Sequence, residues 1–151
     1  MKSQELRRAW VDFFVSKGHK LLPSASLIPD AMSTTLFTIA GMEQFVPVFL
    51  GDEPPQAPRA VTVQRCLRVA GAKSDIENVG RTGRHGTFLE MLGNFSFGDY
   101  YKREAIAWAW EFSTKVLKLD PARIYVTVHT GDDDAEAIWR DVVGLDPAHI
   151  S

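Results

Sequence analysis

The sequence predicts an α+β protein in which an antiparallel sheet is flanked by helices. Two apolar runs rich in β-branched and aromatic residues, 60–69 and 87–97, are separated by a polar connection of about seventeen residues. Such a pair is typical of a β-hairpin with a long tip. The predicted order is mixed, with antiparallel strands around a hairpin and helices packed on one side, which favours the α+β class over a parallel, doubly wound sheet.

Before the hairpin, the apolar spacing predicts a helix over residues 3–17, with Ser3 as its N-cap and Gly18 as its end. Residues 34–40, TTLFTIA, are β-branched and aromatic and predict a strand. Residues 42–50 are predicted to turn helical again.

After the hairpin, an apolar face predicts a helix from residue 99 or 100 to about 118. The run IYVTVH at 124–129 predicts a strand, and residues 132–143 predict a second helix that ends at Gly144. Three successive aspartates, 132–134, favour capping of that helix over a metal site, because adjacent carboxylates at a helix start point in different directions.

Composition places the chain among soluble globular proteins. Its 151 residues, 45% of them hydrophobic, are enough to bury a substantial core. No apolar run of about eighteen residues and no apolar secretory leader is present, so neither a membrane span nor export is expected. The single cysteine, Cys66, excludes an internal disulfide and fits a reducing, cytoplasmic location.

The positive charge is concentrated on the hairpin. Formal net charge is −2, yet residues 59–104 carry eight basic and five acidic side chains, while both flanking regions are net negative. An excess of arginine among glycines favours a small phosphate-bearing ligand, because a long polyanion needs a wide basic face.

Several common sites are excluded by pattern. The P-loop, the dinucleotide-binding glycine fingerprint, the G-x-S-x-G nucleophile turn and a spaced metal-ligand set are all absent. What remains is Arg68 at the end of a strand, followed by a long tip and a return strand with aromatic residues. An arginine can hold a phosphate through two parallel hydrogen bonds, and a flat aromatic can hold a base.

Four segments carry a family resemblance. They read LFTIAGMEQF, QRCLRVAG, DIENVGRTGRHGTFLEMLGNFSFGDYYK and AIAWAWEF. Together they closely resemble the amino-terminal catalytic region of the alanyl-tRNA synthetases, a family of class II aminoacyl-tRNA synthetases. The resemblance extends from Leu6 to about Val143.

The resemblance implies a two-step reaction. Alanine attacks the α-phosphate of Mg-ATP to form alanyl-adenylate and pyrophosphate, and the alanyl group then passes to the 3′ end of tRNA(Ala). It implies ATP and Mg²⁺ as cofactors, and L-alanine and tRNA(Ala) as partners, with no membrane. Residues 36–45 correspond to the first class II motif and the hairpin to the second.

On the same resemblance, residues 1–151 are expected to form the amino-terminal fragment of the catalytic domain. Motif three, the carboxylate for the alanine ammonium, and the editing region with its zinc are expected outside it.

The resemblance also assigns residues. Arg68 is the expected catalytic residue, which grips the α-phosphate, while Arg84 and His85 approach the β- and γ-phosphates. The full expected ATP-binding set is Arg68, Glu77, Arg84, His85, Phe88 and Met91.

The chain departs from the family pattern in the hairpin. Family members read FFEM where this chain reads FLEM, which places Leu89 at the second aromatic position. Lys73 is shifted by one place, and Ile39 stands where the family has asparagine. Strand alternation puts Phe88 and Met91 on opposite faces, so only one of them lines the pocket.

Two further readings stay open at the level of sequence. One is a stand-alone nucleotide-binding or regulatory module without ligase activity. The other is a fragment whose exposed apolar faces drive formation of a homodimer. ATP titration by calorimetry, with and without the Arg68→Ala substitution, separates a retained ATP pocket from a purely structural fragment.

We predict that the 151 residues alone do not aminoacylate tRNA, because the third class II motif and the alanine carboxylate are expected elsewhere. A filter assay with tRNA(Ala), ATP and labelled alanine checks this. A measurable rate of alanyl-tRNA formation would contradict it.

Overall fold

A three-stranded mixed sheet holds the first of two compact units, Met1–Phe97 and Gly98–Ser151. The computed structural model describes residues 1–29, 35–69 and 76–151. The strands, in spatial order, are β1 (Lys20–Leu21), β2 (Arg59–Leu67) and β3 (Phe88–Ser96).

The predicted hairpin and the α+β class are confirmed. Strands β2 and β3 pair antiparallel along their whole length, from Arg59 opposite Ser96 to Leu67 opposite Phe88. The sheet is not wholly antiparallel, however, because the short strand β1 joins the free edge of β2 in parallel. A strand of two residues contributes few hydrogen bonds to the sheet.

Helix α1 spans Ser3–Ser16 and packs against the sheet. The predicted N-cap is wrong by one residue, since Lys2 holds that position and its backbone N–H donates to the Glu5 carboxylate at 2.8 Å. Gly18 follows the helix with a φ of 86°, a left-handed conformation that glycine adopts without a Cβ clash.

Polar contacts attach α1 to one face of the sheet. Arg7 Nε lies 2.6 Å from Glu90 Oε2 on β3. Arg59 Nη1 donates to the carbonyl of Lys17 at 2.6 Å, which satisfies a carbonyl at the helix end. This face of the sheet is therefore covered by α1.

The opposite face is covered by residues 35–50. A 3₁₀ turn, Glu43–Phe45, leads into helix α2, Val46–Leu50, as the sequence predicted. Phe45 is buried and packs on Phe95 with ring centroids 4.6 Å apart and on Phe97 at 5.3 Å. Leu22 and Ala60 complete this core cluster.

The predicted strand at 34–40 is wrong for the residues described, Thr35–Ala40. Their backbone groups bond to several separate places and not to one ladder. Thr38 N–H donates to the carbonyl of Leu27 at 2.9 Å, while Thr38 O accepts from Leu67 N–H at 2.9 Å. Ile39 N–H donates to the side chain of Glu43. β-branched composition favoured a strand, but separate backbone groups and the Glu43 carboxylate took the place of one partner strand.

The second unit is helical. Its helices are α3, Lys102–Glu111, and α4, Asp133–Ala137, and each continues as π-helix, over Phe112–Val116 and Ile138–Val143. Short 3₁₀ turns occupy Pro121–Arg123 and Pro147–His149. Within the described ranges, no helix is both long and apolar enough to cross a membrane.

The predicted strand at 124–129 is wrong, although the run is extended. Val126 forms one isolated parallel bridge with Ile150. The neighbouring bonds run from Val128 N–H to Ser151 O at 2.8 Å and from Ser151 N–H to Val126 O at 3.0 Å. β-propensity alone does not make a strand where only a few residues pair with it.

Gly93 on β3 has no side chain, which leaves space for the ring of Phe95 in the core. A Cβ at Gly93 would lie 2.6 Å from Phe95 Cε2 and 2.7 Å from Cζ, which is closer than atoms can approach. We predict that Gly93→Ala lowers the free energy of unfolding by about 1–3 kcal/mol, since the ring must leave its contact with Phe45.

Urea unfolding followed by circular dichroism measures the change. Gly83→Ala is the matched control, because a Cβ there meets nothing within 4 Å. Equal stability of Gly93→Ala and the parent would show that the ring is not confined as described.

Candidate functional site

Arg68 lies directly after β2, at the base of the hairpin tip. Its backbone N–H donates to Thr87 O at 2.8 Å, which extends the pairing of the two strands by one residue. The side chain is half-buried, and its Nε donates to the carbonyl of Ile39 at 3.1 Å. Among the residues that the structure describes, its two terminal nitrogens have no hydrogen-bond or ion-pair partner.

This arrangement suits a bound phosphate. The bond from Nε to Ile39 O restrains the guanidinium, while no described residue occupies the two terminal NH₂ groups, which form a fork of donors. A fork of this kind matches two oxygens of one phosphate, and prior restraint reduces the entropy lost on binding. The physical basis of the site is therefore an anchored arginine.

The strand register shows which residues share the face of Arg68. Cys66 lies opposite Leu89, and Gln64 lies opposite Met91. A Cβ at Gly41, two residues after Ile39, would contact both Met91 Cβ, at 3.6 Å, and Gln64 Cβ, at 3.7 Å. Leu89 and Met91 are thus on the face that carries the anchored arginine.

Phe88 lies on the opposite face. It alternates with Glu90, whose carboxylate binds Arg7 of α1, and its side chain is 54% exposed. The expected ATP-binding residues therefore divide between the two faces, with Arg68 and Met91 together and Phe88 apart. The apolar side chain next to Met91 on the face of Arg68 is Leu89, at the position where the family pattern has an aromatic.

The described part of the tip, residues 76–86, is mostly exposed. Glu77 and Arg84 are exposed, and His85 is half-buried with its Nδ1 2.6 Å from Thr82 Oγ1. Thr82 also bonds through its backbone N–H to Asn78 O at 3.1 Å, which forms a turn. Lys73, which departs from the family pattern, lies outside the described residues.

Two polar side chains, one buried and one half-buried, support the site and were not predicted. Gln64 is completely buried, and its amide oxygen accepts from Ala25 N–H at 2.8 Å and from Gln44 Nε2 at 2.9 Å. Its amide nitrogen donates to Ala25 O and to Arg65 O. The sequence signal that could have identified Gln64 was a polar residue at a strand position that faces the interior, where a buried polar group requires hydrogen-bond partners.

Glu43 is the second unpredicted residue. Its Oε2 accepts from Ile39 N–H at 2.7 Å, and its Oε1 accepts from the Thr35 hydroxyl at 2.8 Å. Both carboxylate oxygens are therefore used to hold the segment that supplies the anchor for Arg68.

The pKa of the Cys66 thiol reflects burial and the nearby charges on this face. Burial raises the pKa of its thiol, because a thiolate is poorly solvated there. The positive charge of Arg68 opposes that rise, and the negative charge of Glu43 adds to it. Both charged groups therefore act on one buried sulfur.

The second unit has a polar cavity of about 480 Å³ that contains none of the predicted site residues. It is lined by Lys102, His129, Gly131 and Asp132–Asp134. Lys102 Nζ lies 2.5 Å from Asp132 Oδ1, and this hydrogen bond lowers the pKa of the Asp132 carboxyl and raises that of Lys102.

Asp132 also accepts from Ala135 N–H at 3.1 Å, so the predicted capping of the helix is confirmed. In the described part of the chain, no group of three or more His, Cys, Asp or Glu side chains is placed to hold a metal ion.

Sequence comparison defines the class of protein. The model of the family described as tRNA synthetases class II (A) matches residues 5–151. The chain therefore belongs to the class II tRNA synthetases, in agreement with the family resemblance of its hairpin.

The names of individual relatives are more specific than the description of the family. The chain is 56% identical over 149 residues to an alanine–tRNA ligase of Microcystis aeruginosa. It is 58% identical over 149 residues to one from a Synechococcus species, and 57% identical over 150 residues to one from Thermosynechococcus vestitus. Each alignment covers 99% of this chain but only 16% of the relative's length.

We predict that Cys66 reacts slowly with iodoacetamide in the folded protein. The thiolate is the reactive form, so a raised pKa lowers its fraction at pH 8, and burial blocks access. We expect alkylation at pH 8 to be on the order of tenfold or more slower than in urea. Mass spectrometry measures the rates, with Cys66→Ser as the unlabelled control; equal rates in both states would contradict the burial described.

Proposed function

We propose that this chain contributes the ATP-binding part of the aminoacylation domain of an alanine–tRNA ligase, as its amino-terminal segment. The observation that carries the proposal is the anchored guanidinium of Arg68, with its two terminal nitrogens available on the face that holds Leu89 and Met91. The names and high identity of the relatives support the choice of amino acid.

In this proposal Arg68 binds the α-phosphate of Mg-ATP. When the carboxylate of alanine attacks the α-phosphorus, negative charge builds on the phosphate oxygens, and the positioned guanidinium offsets it. The bond to pyrophosphate then breaks, which leaves alanyl-adenylate. A restrained cation is effective here because it needs no reorganisation during the step.

Leu89 and Met91 provide an apolar surface for the adenine on the same face. Their contact is less specific than aromatic stacking, since neither side chain presents a flat ring. Phe88 does not contact the adenine on this surface, because its side chain lies on the face of the sheet that α1 covers. Arg84 and His85 on the tip bind the β- and γ-phosphates after ATP has entered, and Glu77 belongs to the same ATP-binding set.

The remaining properties belong to the same proposal. The substrates are ATP with Mg²⁺, L-alanine and tRNA(Ala), and the protein acts in the cytoplasm. The third class II motif, the alanine-binding carboxylate and the tRNA-binding and editing regions belong to the further length that the relatives have.

The test is a chimera in which this chain replaces the 149 matching residues of the Synechococcus ligase. We predict that the chimera catalyses alanine-dependent ATP–pyrophosphate exchange and charges tRNA(Ala). The Arg68→Ala substitution should lower kcat/KM for ATP by about a hundredfold or more, as expected for loss of a group that stabilises developing charge.

Arg65→Ala is the matched control. It removes an exposed arginine of β2 three residues earlier, on the opposite face of the sheet. We expect exchange to stay within about threefold of the parent, as for an exposed charge. A chimera that folds but does not exchange, or an Arg68→Ala variant with full activity, would overturn the proposal.

A further inference from the structure

We infer that Glu43 is a positioning residue that orients Arg68 for the phosphate of ATP. The inference rests on the proposed function, and it concerns a side chain that acts through the backbone and does not touch the substrate. The half-buried carboxylate of Glu43 makes two hydrogen bonds within a segment that lacks strand pairing.

The first step is the carboxylate itself. Glu43 uses one oxygen for the Thr35 hydroxyl and the other for Ile39 N–H, at 2.8 and 2.7 Å. Hydrogen bonds to a charged acceptor are about twice as strong as neutral ones. The carboxylate therefore closes a loop around residues 35–43 and restrains both of its arms.

The carbonyl of Ile39 links Glu43 to Arg68. Ile39 O accepts from Arg68 Nε at 3.1 Å, so the residue held by Glu43 at its N–H holds the arginine at its C=O. The preceding residue, Thr38, is tied to Leu27 and Leu67. Rotation of residue 39 is then limited on one side by Thr38 and on the other by Glu43.

Residues 35–40 lack the backbone pairing of a strand. Thr35–Ala40 form no strand, so no ladder of backbone bonds replaces the carboxylate when it is removed. The direction of the Ile39 carbonyl, and with it the plane of the guanidinium, then depends on Glu43. Glu43 and Arg68 both act on the pKa of the Cys66 thiol, which agrees with two charges lying near the same buried side chain.

A direct experiment uses the 151-residue chain and needs no ligase activity. Hydrogen exchange of the Arg68 Nε–H is measured by NMR, with the signal assigned from its loss in Arg68→Ala. We expect Glu43→Ala to accelerate exchange by about fivefold or more relative to the parent, because the acceptor carbonyl is no longer held in place. Glu53→Ala, which removes an exposed carboxylate from a nearby loop, should leave the rate unchanged.

A kinetic experiment uses the chimera. We expect Glu43→Ala to reduce kcat/KM for ATP by roughly 5- to 30-fold, as for loss of a bond to a charged group, with the KM for alanine unchanged. In the Arg68→Ala background the same substitution should have little further effect. Glu43→Gln keeps an acceptor for Ile39 N–H and should restore most of the lost activity.

The outcomes are distinguishable. Unchanged Nε–H exchange in both Glu43 variants, or an equal loss of activity with and without Arg68, would overturn the role of Glu43 while leaving the ligase proposal intact. An inactive parent chimera would instead overturn the ligase proposal, and the exchange measurement would still decide the positioning role. If Glu43→Ala does not fold, Glu43→Gln is compared with Glu43→Leu, which is of similar size. Protection and activity equal to the parent in Glu43→Gln, with both lost in Glu43→Leu, support the inference. Retention of both in Glu43→Leu would overturn it.

Discussion

The buried carboxamide of Gln64 is the interaction on which the first unit depends. It joins strand β2 to residue 25 and to Gln44, so two segments distant in sequence are attached to the strand at one point. Leaving its partners unsatisfied in the interior would cost about 1–3 kcal/mol for each group. Because a carboxamide both donates and accepts, it holds these segments in one register where an apolar side chain would allow sliding.

The chemistry of the site follows from that attachment. Once residues 35–45 are held against the sheet, the Ile39 carbonyl meets Arg68, and the guanidinium is presented with its forked end available. The opposite face of the sheet holds α1, through Arg59 of β2 and Glu90 of β3. Alternation of side chains along the two strands thus separates the residues that bind α1 from the face of the arginine proposed to bind ATP.

Sequence reasoning succeeded where a local pattern was sufficient. The hairpin follows from two β-prone runs around a polar tip, and helices before and after it follow from apolar periodicity. It was wrong for residues 35–40 and 124–129, which have the composition of strands. A strand requires a partner along its length, and in both places the backbone groups found other acceptors or only a few residues to pair with. The face of Phe88 also needed the register, since alternation alone could not say which set faces Arg68.

The hairpin, the position of Arg68 at the strand end and the membership of the class II synthetases were all contained in the amino-acid sequence, because they depend on residue types close together in the chain. The anchor of Arg68 on Ile39, the carboxylate of Glu43 behind it and the buried amide of Gln64 were not. The contacts of Arg68 with Ile39 and of Gln64 with Ala25 and Gln44 join residues twenty or more positions apart, while the contact of Glu43 with Ile39 depends on the turn between them. Their geometry arises only when the segments pack together and buried polar groups must find partners.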